Sequence, residues 1–150
     1  QEIRSLSSGL VIPDLSELTI NKALEKVIAT HESRTSTKVK VKLTPLPELL
    51  DMAKKICLYR LTQEGLNNAF KHGNGIKQKV IATREKDFLT LSILDSGPGI
   101  QKSCINRIND TNHLGLRGLR ERIESLGGEF NISDNKKQKG VKITCKLPLF

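Results

Sequence analysis

Apolar and polar residues recur along this chain with two different periods, which predict a mixture of helices and strands. Apolar residues spaced three and four apart predict a helix over residues 19–33, with Thr19 as its N-terminal cap. The same spacing predicts a long helix over residues 48–71, which Pro47 can start and Gly73 can end in a left-handed conformation.

Alternation of apolar and polar residues predicts strands before and after the long helix. Residues 38–43 alternate lysines with Val39, Val41 and Leu43, so we expect one solvent-exposed face and one buried face. Further along, the pattern predicts two hairpins, separated by a third helix that ends near Leu126. The predicted strands of these hairpins are residues 78–83, 88–94, 129–133 and 141–147.

The beginning of the chain differs from the rest. Residues 1–15 are expected to be the end of a helix followed by a linker, and residues 16–150 a single domain. Ile3, Leu6 and Leu10 keep helical spacing, but a helix this short is marginal alone. Because the chain also starts without Met, we expect it to be part of a longer protein.

The composition, 37% hydrophobic and 27% charged, fits a globular domain with a real core. No apolar run approaches the roughly 18 residues of a membrane span. Cys57, Cys104 and Cys145 are scattered, with neither metal-binding spacing nor a disulfide framework, which favours a reducing compartment. We therefore expect a cytoplasmic domain, attached to a membrane only through other parts of its parent protein.

The net charge of +9 could serve nucleic acid, a membrane surface or another anionic ligand. Aromatic residues make up only 3% of the chain, so stacking platforms for single-stranded nucleic acid are not expected. The basic residues are also dispersed, as Lys38, Lys40 and Lys42 illustrate. We expect a basic domain with an anionic ligand or partner, and no nucleic acid.

The long helix carries the first candidate for chemistry. Helical spacing places Glu64, Asn68 and Lys71 on one face, because residues three and four apart are neighbours. The amide and carboxylate oxygens suit magnesium, and the ammonium suits phosphate. A solvated polar helix face is the alternative. Beside these residues runs an apolar stripe of Leu58, Leu61, Gly65 and Ala69, suited to packing on a sheet.

Two glycine-containing segments are the second and third candidates. Asp95 ends a predicted strand, and Gly97 and Gly99 after it let the backbone approach a ligand; an ordinary turn is the alternative. Gly115 and Gly118 are expected just ahead of the third helix, where its first amide groups could face an anion. The segment is neither a P-loop nor a dinucleotide fingerprint, since the required residues and preceding strand are missing.

Together these three segments resemble the ATP-binding catalytic domain of bacterial sensor histidine kinases. That domain belongs to the wider group that includes DNA gyrase and the MutL repair proteins. The motifs in residues 63–72 and 113–123 are most similar to the nitrate-sensor and DesK-type subfamily, and residues 3–10 resemble the end of its phosphoacceptor helix pair. The resemblance covers essentially the whole chain. It implies an α/β two-layer sandwich, the Bergerat fold, with about five strands in a mixed sheet, three helices on one face and a flexible ATP lid.

The resemblance also implies ATP and Mg²⁺ as ligands, with a role for each segment. Asn68 would coordinate magnesium, Glu64 would act as or orient the acid/base group, and Lys71 and His72 would contact phosphates. Asp95 would accept a hydrogen bond from the adenine amino group. The remaining nucleotide-binding residues would be Gly97, Gly99 and Ile100 near the base, and His113, Gly115, Leu116, Arg117 and Gly118 in the lid.

The implied activity is transfer of the ATP γ-phosphate to a histidine on a dimerisation helix pair, and from there to a response-regulator aspartate. The parent would be a homodimer. None of His31, His72 and His113 has the acceptor setting of the family, so we expect ATP binding without autophosphorylation of the isolated chain. Val141 stands where the family usually has Thr, which puts adenine affinity in doubt. A serine kinase like the anti-sigma factors, or a non-catalytic ATP-dependent interaction domain, is the alternative function.

Overall fold

The computed structural model describes residues 12–96, 114–134 and 140–149. These residues form three helices and five strands in chain order. The helices are α1 (Ile20–Thr35), α2 (Met52–Gly73) and α3 (Leu114–Ser125). The strands are β1 (Val39–Leu43), β2 (Gln78–Glu85), β3 (Phe88–Leu94), β4 (Glu129–Asp134) and β5 (Val141–Pro148).

The five strands form one mixed sheet in the order β1-β2-β3-β5-β4. β1 is parallel to β2, and the other neighbouring pairs are antiparallel. One row across the sheet joins Val80, Ile93, Ile143 and Ile132, so apolar side chains share one face and meet the helices in a single core. The predicted mixed sheet with three helices is thereby confirmed for the described residues.

The predicted bounds of α2 were wrong at both ends. The helix begins at Met52 after Asp51, and two residues shortly before it are held by a side chain of α1. The Asn21 side chain donates to the Thr44 carbonyl at 3.2 Å and accepts from the Leu46 amide at 3.2 Å. At the other end, Asn74 rather than Gly73 adopts the left-handed cap, with φ 57°.

β1 does not have the alternating burial that its sequence predicts. Val39 is buried, but Val41 is 43% exposed. β1 lies at the edge of the sheet, and Val39 is its only buried residue. β1 therefore has more apolar positions in its sequence than buried positions in the structure.

Thr19 caps α1 as predicted, since its hydroxyl accepts a hydrogen bond from the Lys22 amide. His31, one turn before the end of α1, is buried and its Nε2 lies 2.7 Å from Gln78 Oε1. Burial lowers the pKa of His31, and the hydrogen bond to Gln78 opposes that shift. His31 is therefore a core residue that joins α1 to β2.

Cys57 and Cys145 are buried free thiols, while Cys104 lies outside the described residues. Burial raises the pKa of Cys145 to about 12, so this thiol stays protonated and unreactive.

Within the described ranges, no helix combines the length and the apolar character needed to cross a membrane.

Candidate nucleotide site

Helix α2 presents the predicted polar face at the edge of the core. Glu64 and Asn68 are partly buried, and Lys71 is exposed in the last turn. The predicted apolar stripe faces the sheet, where a Cβ added to Gly65 would lie 3.2 Å from Ile93 Cβ. Because the apolar side of α2 packs closely on β3, the polar residues lie on the neighbouring side of the helix.

Asp95 follows β3 directly and is held by the start of β5. Its backbone amide donates to the Val141 carbonyl at 3.1 Å, and the Val141 amide donates to Asp95 Oδ1 at 3.3 Å. The carboxyl group is largely buried, with Asp95 only 7% exposed. A buried carboxylate with a fixed orientation suits the recognition of a single donor group.

The end of α2 and the end of β3 lie side by side. The Ser96 amide donates to the Ile76 carbonyl at 2.9 Å, and Ile76 follows shortly after the last turn of α2. This hydrogen bond joins the residue after Asp95 to the turn that follows Lys71 and His72. Two of the three candidate segments therefore meet at one edge of the domain.

Sequence reasoning missed Gly140 as a residue of this site. It has φ +123°, and an added Cβ would lie 2.1 Å from the Asp95 carbonyl oxygen. Only glycine permits this backbone conformation and this approach. The main chain at Gly140 and Val141 therefore holds Asp95 even though the family's usual threonine is absent. A glycine immediately before the last strand was the available signal.

We expect Gly140→Ala to lower the free energy of unfolding by at least about 2 kcal/mol, because the new Cβ adds backbone strain and a clash. Gly118→Ala is the control, since a Cβ there meets nothing within 4 Å in a helix. It should be neutral or stabilising. Urea unfolding of both variants measures the difference, and a Gly140→Ala protein as stable as the parent would contradict this account.

The electrostatic environment of Glu64 suits a proton acceptor. Burial raises the pKa of its carboxyl group, and the positive charges of Arg60 and Lys71 oppose that shift. A carboxylate whose pKa lies above its ordinary value accepts a proton more readily near neutral pH. Glu64 is therefore the described carboxylate best placed for acid/base work on this face.

The third segment is arranged differently from its prediction. Gly115 and Gly118 lie inside α3, not ahead of it, because the helix already begins at Leu114. Leu116 is buried in the core, and the exposed Arg117 pairs with Glu121 at 3.6 Å. Gly118 still lines a cleft of about 260 Å³ that also includes Glu64, so α3 and α2 share one surface.

The structure does not describe every residue that was predicted to bind the nucleotide. Gly97, Gly99, Ile100 and His113 lie outside the described residues, so their roles stay predictions. His72 is exposed in the last turn of α2, beside Lys71. Sequence reasoning also missed two cations of the cleft, Arg60 and Arg122. Their helical spacing relative to Glu64 and Gly118 was the available signal.

The donor set fits a metal ion that is held mainly by phosphate oxygens. Among the described residues, no group of three or more histidine, cysteine or acidic side chains could hold a metal alone. Asn68 and Glu64 nevertheless present an amide oxygen and a carboxylate one helical turn apart. Magnesium commonly uses one or two protein oxygens, substrate phosphates and water.

Comparison with known proteins agrees with this geometry. Residues 53–150 match the family model of histidine kinase-, DNA gyrase B- and HSP90-like ATPases. The chain is 33% identical over 140 residues to the signal transduction histidine-protein kinase/phosphatase DegS of Bacillus subtilis, an alignment that covers 90% of this chain and 35% of DegS. It is 28% identical over 151 residues to the kinase/phosphatase UhpB of Salmonella typhimurium, which covers 97% of this chain and 28% of UhpB.

Solved histidine kinase structures share the fold. The mycobacterial sensor histidine kinase MprB superposes with a TM-score of 0.71 at 22% identity, covering 87% of this chain and 95% of that one. Full-length ShkA in complex with AMPPNP gives a TM-score of 0.70 at 20% identity, covering 93% of this chain and 32% of ShkA.

The chain spans 35% of the length of DegS and 28% of UhpB. The nitrate-sensor and DesK-type subfamily stays a prediction, while the broader resemblance is confirmed. Because the family model covers residues 53–150 and the fold agrees, the protein belongs to the family of histidine kinase-, DNA gyrase B- and HSP90-like ATPases.

Proposed function

We propose that this chain is the ATP-binding catalytic domain of a two-component sensor histidine kinase. It transfers the γ-phosphate of Mg-ATP to a histidine on the dimerisation helix pair of its parent protein, which passes the phosphate to a response-regulator aspartate. The names of DegS and UhpB, both histidine-protein kinases, support this assignment. In this proposal the parent sensor is a homodimer, and this domain lies in the cytoplasm.

One observation carries the proposal: the junction between the ends of α2 and β3. The hydrogen bond from Ser96 to Ile76 joins the residue after the buried Asp95 to the turn that follows the helix bearing Asn68 and Lys71. A base recognised at Asp95 would direct its triphosphate along α2. The exposed ammonium of Lys71 and the partly buried side chains of Asn68 and Glu64 would then follow one another along the phosphates.

Each side chain has a distinct task in this mechanism. Asp95 accepts a hydrogen bond from the exocyclic amino group of adenine, which guanine lacks at that position. Lys71 and His72 hold phosphate oxygens, and Asn68 would hold a magnesium ion, which would supply compensation for the negative charge of the phosphates. Positioning and charge compensation supply most of the catalysis of phosphoryl transfer.

Glu64 acts at the transfer step. The acceptor imidazole nitrogen attacks the γ-phosphorus, the bond from that phosphorus to the bridging oxygen breaks, and ADP leaves. The attacking atom is the unprotonated ring nitrogen, and the proton on the other ring nitrogen, which becomes acidic as the new N–P bond forms, passes to the Glu64 carboxylate. The raised pKa of Glu64 supports this role, since it brings the proton affinity of the carboxylate closer to that of imidazole.

Titration calorimetry with Mg-ATP and Mg-GTP tests the binding part of the proposal, with ATP expected to bind and GTP not. Asn68→Asp should weaken Mg-ATP binding at least about tenfold, because a second carboxylate beside Glu64 repels the triphosphate. Its circular dichroism spectrum should be unchanged. Asn131→Asp, on an exposed position of β4, is the control and should bind normally. Equal affinity of the Asn68→Asp protein would remove Asn68 from the site.

Transfer is tested with labelled ATP and the full-length parent sensor carrying Asn68→Asp as acceptor. We expect acid-labile label on the acceptor and none on the isolated chain. Acid-stable label would indicate a serine kinase, and ATP binding without any transfer would indicate a nucleotide-dependent interaction domain. Stable label on a histidine of the isolated chain would contradict the expected need for a separate acceptor.

A further inference from the structure

The cleft between α2 and α3 extends from Glu64 away from the proposed triphosphate position. Its walls on α2 are Ile56, Cys57 and Arg60, all on the N-terminal side of Glu64, and it includes neither Asn68 nor Lys71. Glu64 therefore separates two parts of one surface. Under the proposed function the nucleotide occupies the part toward Asp95, so an acceptor that reaches Glu64 approaches through the cleft.

Two arginines face this cleft, one from each helix. Arg60 on α2 is partly buried and Arg122 on α3 is exposed. Neither guanidinium group makes an ion pair within the described part of the chain. The charge of Arg60 acts on Glu64, and the charge of Arg122 acts on Cys57 in the cleft wall, where each opposes the effect of burial on the neighbouring pKa.

The size and the remaining lining of the cleft indicate what it can hold. A volume of about 260 Å³ is below that of typical small-molecule sites, roughly 300–1,000 Å³, so the cleft suits one or two side chains. Ile12, Ile56 and Leu119 supply apolar contacts. A partner that covers two unpaired guanidinium groups has to provide an anion, because burying them uncompensated is costly.

We propose that Arg60 and Arg122 bind a side-chain carboxylate of the phosphoacceptor protein, and that the cleft is thus the acceptor subsite of this domain. The inference rests on the proposed function. A carboxylate held there, with apolar contacts on either side, fixes the acceptor helix so that the protonated nitrogen of its imidazole lies beside Glu64. Planar guanidinium groups suit this task, since they bind carboxylates through paired hydrogen bonds.

The test measures transfer from this chain to the full-length parent sensor carrying Asn68→Asp, at saturating ATP and varied acceptor concentration, after subtraction of the label that the acceptor gains without this chain. Arg60→Gln and Arg122→Gln should each raise KM for the acceptor about tenfold, since each removes a charge-assisted contact. The value of kcat should stay within about twofold for Arg122→Gln, and the Kd for Mg-ATP should stay within about twofold for both variants. Arg84→Gln, at the exposed end of β2, is the control and should change neither constant. Arg60→Lys should recover only part of the loss.

Neutralising each acidic residue of the acceptor helix in turn identifies the carboxylate. One such variant should reproduce the rise in KM, and combining it with Arg122→Gln should add little further loss. An increase in Kd for ATP would overturn the inference, because the arginines would then bind the nucleotide. A fall in kcat with unchanged acceptor KM would also overturn it, since Arg60 would then act only on Glu64.

Direct binding separates failure of this inference from failure of the proposed function. The acceptor protein is titrated into the chain without nucleotide, and its affinity for the two arginine variants is compared with that for the parent chain. Weaker binding of the variants supports the acceptor subsite even if no phosphate is transferred. Equal binding of all three proteins overturns the subsite even if ATP binding and transfer are intact.

Discussion

Glu64→Gln should lower phosphotransfer to the acceptor by at least about a hundredfold while ATP binding is retained, because the glutamine cannot accept the proton released from the acceptor imidazole. The variant should also be no less stable than the parent at pH 7.5. Burial raises the pKa of Glu64, so the stability linked to this group is present below its unfolded pKa and lost as pH rises through its folded pKa. Replacing the Glu64 carboxylate by a neutral amide therefore should not lower the free energy of unfolding at high pH.

Labelled transfer, calorimetry and thermal unfolding at pH 4 and pH 7.5 measure the three effects. Glu124→Gln is the matched control, since Glu124 is exposed on α3 and makes no ion pair among the described residues. It should leave transfer, affinity and unfolding temperature unchanged. Transfer at the parent rate by the Glu64→Gln protein would refute the acid/base role and favour a nucleotide-dependent interaction domain.

Asp95→Asn should weaken Mg-ATP binding by at least about tenfold, because the loss of a charged hydrogen-bond acceptor in a buried site costs roughly 1.5–3 kcal/mol. Asn keeps the side-chain oxygen that accepts from the Val141 amide at 3.3 Å, so the loop should remain folded. The new amide group would face the adenine amino group as a second donor, and discrimination between ATP and GTP should fall as well.

Calorimetry with both nucleotides tests this expectation, and circular dichroism checks the fold. Asp87→Asn makes the same chemical change in the exposed turn at the opposite end of β3 and should not alter affinity. If the Asp95→Asn protein bound ATP as the parent does, Asp95 would not be the adenine-recognising group. The Gly140 and Val141 contacts would then serve the fold alone.

Local patterns predicted most elements to within a few residues. Thr19 was recognised as a cap because a cap depends on its own side chain and the amides that follow it. The start of α2 was missed because the Asn21 side chain, which binds residues 44 and 46, comes from a distant helix. Val41 was predicted to be buried because alternation cannot tell an edge strand from a central one.

Some residues of the candidate site could likewise be predicted from local sequence, and others could not. The face with Glu64, Asn68 and Lys71 follows from helical spacing, which is set within a few residues along the chain. The roles of Gly140, Val141 and Arg122 depend on contacts between segments far apart in sequence. No periodicity within either segment reports which other segment it meets.

The sequence by itself determined the elements, the polar face of the long helix and the family, because these depend on local spacing and on motifs. Only the tertiary structure decided that β5 lies beside β3, so that Gly140 and Val141 hold Asp95. It also decided that α3 packs beside α2, so that two arginines share a cleft with Glu64. The physical reason is that strand order and helix packing are set by burial of the whole apolar surface, which no single segment encodes.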